Sequence, residues 1–123
     1  MREIKFRAKT CNGEWVDGLL AYKGDKWYIS NKAGMPFAFE VRPETISQYT
    51  GLKDKNGKEM YEGDIVEVTE EDEYLYLEWD EDTASFVMSG RHFELDFNSY
   101  WSYEIEVIGN KFDNPELLEG GAE

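Results

Sequence analysis

Gly51-Leu52-Lys53-Asp54-Lys55-Asn56-Gly57-Lys58-Glu59-Met60-Tyr61-Glu62-Gly63-Asp64-Ile65-Val66-Glu67-Val68 decides how this chain is read: a tight polar turn, then a strand. Asp54-Lys55-Asn56-Gly57 carries turn chemistry. An Asp side chain accepts hydrogen bonds from the backbone just ahead of it, and Asn and Gly tolerate left-handed backbone angles. The run starts like a calcium loop, but the later ligand positions and the closing Glu are missing, so a turn is expected and not a metal site. Gly63-Asp64 then opens the strand Ile65–Thr69. A Gly-Asp turn feeding an apolar strand recurs in small SH3-like barrels, and the strands that follow need this one as a neighbour.

Downstream, Tyr74 to Trp79 places Leu75, Leu77 and Trp79 on one face and Tyr74, Tyr76 and Glu78 on the other. Both faces carry apolar area, which predicts a central, covered strand. Glu70-Glu71-Asp72-Glu73 and Asp80-Glu81-Asp82 read as acidic hairpin tips. Further strands are expected over Thr83–Met88, Arg91–Phe97 and Glu104–Ile108, the last ended by Gly109-Asn110. Asn114 as N-cap, Pro115 and Glu116 predict one helical turn, with Leu117 and Leu118 docked on the strands.

Upstream, Ile4, Phe6 and Ala8 alternate with Glu3, Lys5 and Arg7, the pattern of a half-buried antiparallel strand. Asn12-Gly13 supplies a hairpin turn. The return strand Glu14–Leu20 contains Gly18, a bulge or close-approach signal. A second turn at Lys23-Gly24-Asp25-Lys26 leads to Trp27–Ser30. Residues 31 to 43 hold Pro36 and Pro43 and read as a connection, and Thr45–Thr50 as the next strand. The expected architecture is all-β: an N-terminal meander and connection over 1–43, an SH3-like barrel over 44–110, and a tail over 111–123 with one helical turn.

The chain has 123 residues, 41% of them hydrophobic, with seven Phe, eight Tyr and four Trp. That is enough to fill a core and argues against intrinsic disorder. The protein is acidic, with a net charge of −14 that is unevenly spread. Up to residue 60 there are eleven Lys and Arg against eight Asp and Glu; after it there are two against nineteen. The second half therefore repels nucleic-acid phosphates, and only residues 1–60 offer cations to touch them. No apolar run is long enough to span a bilayer, and the first residues read as a strand and not as a signal peptide. The single Cys11 cannot form an internal disulfide, which fits a reducing compartment.

Two separated strings carry a family resemblance: Gln48-Tyr49-Thr50 running into Gly51–Val68, and Val107-Ile108-Gly109-Asn110 with Asn114-Pro115-Glu116-Leu117-Leu118. With the opening Arg2-Glu3-Ile4-Lys5-Phe6-Arg7-Ala8, they resemble the YopX family, small proteins carried mainly by bacteriophages and prophages. The resemblance implies an all-β fold and a phage setting, hence the cytoplasm of a bacterial host. It implies no known activity and no established site residues.

Chemistry is thinly provided for. The only histidine, His92, lies on the polar side of an alternating strand next to Arg91; as a general base it would have to meet a nucleophile by tertiary accident, so a solvent-facing or edge histidine is expected. One Cys and one His are too few for a zinc site. No Gly-rich phosphate loop precedes a helix, so no cofactor is expected. The carboxylates at Glu70–Glu73 and Asp80–Asp82 could hold a hard cation or form a hydrolase pair, but solvated hairpin tips that keep strand edges unpaired explain them. The aromatics are expected in core and interface, since a base-stacking platform needs accompanying cations and only Arg91 and Lys111 follow residue 60. These readings predict a non-catalytic accessory protein, with no catalytic, cofactor or metal site, acting through protein contacts or self-assembly and without a membrane. The alternative is a nucleic-acid-related role, either as an acidic DNA mimic that occupies a host protein or by direct binding through residues 1–60.

Overall fold

In the computed structural model, residues 4–30, 38–68, 74–90, 94–97 and 104–120 are described. Among sequence features, Arg91, His92, the Glu70–Glu73 tip, Pro36 and the stretch 98–103 lie outside them. Among the described residues the fold is all-β, built from antiparallel strands with one short α-helix near the end. Two compact units divide the chain, Met1–Tyr49 and Thr50–Glu123.

In the first unit, β1 (Phe6–Lys9), β2 (Trp15–Lys23), β3 (Lys26–Ser30) and β4 (Phe39–Val41) form the sheet order β4-β3-β2-β1. The β1–β2 turn is closed by Thr10 N–H donating to Glu14 C=O and Gly13 N–H to Thr10 C=O. The β2–β3 turn puts Gly24 and Asp25 both at positive φ, the twist a two-residue hairpin favours. Gly18 proves to be where β2 changes partner. Trp15–Gly18 pair with β1, Leu19–Lys23 pair with β3, and Gly18 itself sits at φ +149°. A side chain there would be strained, so glycine makes the bend possible.

The sheet curls until its far strands touch. Thr10 bridges Val41, and Arg42 N–H donates to Lys9 C=O. Pro43 opens a single 3-10 turn, Pro43–Thr45, and the Thr45 hydroxyl accepts the Lys9 N–H at 2.9 Å. Inside the curl Ala8, Ile29 and Val41 are buried, with Phe6, Val16, Leu20, Trp27 and Ile46 packed around them. The strand β5 (Ser47–Lys53) begins here, Ser47 and Gln48 pairing with Arg7 and Phe6, and its later residues belong to the second unit.

In the second unit β5 is followed by β6 (Glu59–Tyr61), β7 (Asp64–Val68), β8 (Tyr74–Asp80), β9 (Ser85–Ser89), β10 (Glu94–Asp96) and β11 (Ile105–Asn110). The last five make one sheet, β10-β9-β8-β7-β11, with β8 at its centre. One face buries Val66, Val68, Leu75, Leu77, Met88, Ile105 and Val107 together with Met60, and Leu52, Leu95 and Phe97 pack against them. At about 25 cal/mol per Å² of apolar surface buried, these side chains are the main source of the unit's stability.

No closed barrel is found among the described residues. Within the span 44–110, read as an SH3-like barrel, β7 to β11 make an open sheet instead, with β10 and β11 at its opposite rims, and β5 and β6 are not part of it. The physical reason is at β11, where the 54–57 turn takes the place of a closing strand. Lys55 N–H donates to Ile105 C=O, and Val107 N–H donates to the Asp54 carboxylate. The helix α1 (Glu116–Gly120) packs against β8 with Leu117 and Leu118 half-buried. Asn114 does not cap it with its side chain. Its Oδ1 turns back to accept the Asn110 N–H, and its carbonyl accepts the Leu117 N–H.

Candidate functional site

The stretch that carries the turn chemistry is a structural clasp. Asp54 is 6% exposed, yet its Oδ1 accepts the N–H groups of Asn56 and Lys58 at 2.9 Å and its Oδ2 accepts that of Val107 at 2.9 Å. Burial pushes its pKa up, but the three backbone donors outweigh that, and the carboxyl ends below its ordinary value. Asp64, almost wholly buried, likewise accepts the Tyr61 N–H. Gly63, at φ +90°, donates to Leu77 C=O and accepts from Lys111 N–H. Asn110 pairs with Asp64, and a Cβ on Gly109 would lie 2.5 Å from Asn114 Oδ1. The two strings that carry the family resemblance therefore meet in space, and their polar residues serve the fold.

The chemistry on display lies on the other face of the second unit's sheet. Strand alternation that sends Val66, Leu75, Leu77 and Met88 to the core sends Glu67, Tyr74, Tyr76, Glu78, Glu94, Asp96 and Glu106 to the opposite face, where they surround the buried Ile65, Val87 and Ser89. The register assembles them. Glu67 stands opposite both Glu106 and Tyr74, Tyr76 opposite Ser89, and Ser89 opposite Glu94. The Ser89 hydroxyl donates to Glu78 Oε2 at 2.5 Å, and Glu94 Oε2 lies 3.2 Å from that Ser89 Oγ. Burial raises the Tyr76 pKa, and the charges of Glu78 and Glu94 raise it further. Lys55 Nζ lies 3.9 Å from Glu106. This is an anionic, tyrosine-bearing sheet face that favours cations.

The first unit carries a contrasting surface. Arg7 and Lys9 stand over the Trp15 ring at 4.6 and 5.5 Å from its centroid, and Lys5 over Tyr49 at 5.2 Å. These cation–π contacts engage ring faces that stacked bases would need.

The sequence features set apart as possible sites come out differently. Asp80 Oδ1 accepts the Asp82 N–H, so the β8–β9 acidic tip is a side-chain-closed turn. Among the described residues no group of three or more metal-binding side chains converges. Cys11 is a free, exposed thiol whose carbonyl accepts a bond from the Arg42 guanidinium. The outward carboxylates of the strands are not among the candidate sites that the sequence alone sets apart. Alternation at Glu67, Glu78, Glu94, Asp96 and Glu106 was the available signal, though only strand order shows that they share a face.

Fold and surface together define a class: an antiparallel all-β protein of two units, acidic, with an open sheet that presents carboxylates and tyrosines. The chain belongs to the YopX family, whose model, described as YopX protein, matches residues 5–119. No curated protein matches the chain.

Proposed function

We propose that this YopX-family chain is a non-catalytic phage or prophage accessory protein that works in the cytoplasm of a bacterial host through protein contacts, with the outer face of the second unit as its docking surface for a basic partner. The observation that carries this reading is the grouping of Glu67, Glu78, Glu94, Asp96 and Glu106 on one sheet face, including the directly opposed pair Glu67 and Glu106. Like charges facing each other across strands cost stability, and a cationic partner relieves that cost. Tyr74 and Tyr76 add amphipathic area of the kind enriched at interfaces. The test is capture from host lysate by the wild type and by a Glu67→Gln, Glu78→Gln, Glu94→Gln, Asp96→Asn variant. A basic protein held by the wild type, released by salt and lost by the variant supports the reading. Equal capture by both overturns it.

A second reading is nucleic-acid mimicry, favoured by carboxylate spacing: about 7 Å between alternate residues along β10 and about 5 Å across neighbouring strands. Such a surface resembles a dense row of phosphates to a nucleic-acid-binding protein. Mimicry predicts that DNA competes with the chain for the captured partner, whereas the chain alone shifts no oligonucleotide in a gel. Direct binding through residues 1–60 predicts a gel shift at low salt. Self-assembly predicts a salt-sensitive rise in mass by size exclusion with light scattering.

A further inference from the structure

We draw no further inference here: the strongest candidate, the Glu78–Ser89–Glu94 cluster beside Tyr76 on the outer face of the five-stranded sheet, belongs to the surface already described, and beyond its own carboxylates nothing in the structure points to a ligand there.

Discussion

Asp54 shows how much one side chain can hold. Its two oxygens satisfy three backbone donors, one of them 53 residues away on β11. Asp54→Asn keeps an acceptor but turns an amide donor toward a donor, so a loss of about 2–3 kcal/mol is expected in urea unfolding. Because the folded carboxyl titrates below its ordinary 3.8, its contribution is present above that value and lost as pH falls through the lowered one. The gap between wild type and Asp54→Asn should therefore narrow on acidification below about pH 4. Tyr76 has the opposite sign. Its raised pKa means the folded state keeps the phenol proton longer than the unfolded chain, so stability falls as pH rises above the ordinary value of 10. Tyr76→Phe should remove part of that alkaline loss in unfolding curves collected at several pH values.

Among the elements, turns were the most legible in sequence, because their residues act locally. Asp54-Lys55-Asn56-Gly57 and Gly24-Asp25 announce themselves by side-chain acceptors and tolerance of positive φ. The central position of β8 was legible too, since both its faces carry apolar residues. What alternation cannot encode is which strand lies beside which. The partner switch at Gly18, the open sheet in place of a barrel, and the convergence of the outward carboxylates all depend on contacts distant in sequence. Asn114 looked like a helix cap and instead serves Asn110, because Gly109 leaves room for it. Gly109→Ala should cost about 1–3 kcal/mol through overpacking. Adding Asn114→Ala should make the double variant cheaper than the sum of the two single losses, as double-mutant cycles in urea would report. Ala84, at φ +54° in the β8–β9 turn, adopts the left-handed angle without being glycine. Ala84→Gly is expected to stabilise the fold by up to about 1 kcal/mol, read as a modest rise in the urea midpoint.

For the whole molecule, charge is the dominant fact. The second unit carries twenty-one Asp and Glu against five Lys and Arg, the first unit six against eight. Self-repulsion within so acidic a chain destabilises the compact state, and salt shortens its reach from about 30 Å at 0.01 M to about 3 Å at 1 M. The urea midpoint should therefore rise with added sodium chloride, and the four-residue neutralised variant should show a higher midpoint at low salt and a smaller gain. A midpoint indifferent to salt would remove the electrostatic cost assigned to the outer face. The turn at Asp54 has one more consequence. By seating a carboxylate and a backbone donor against β11, it denies that rim to any visiting strand from another molecule. Fibril templating along β11 can begin only after the turn has let go, so the acid that neutralises Asp54 both loosens the fold and uncovers a place for polymers to grow.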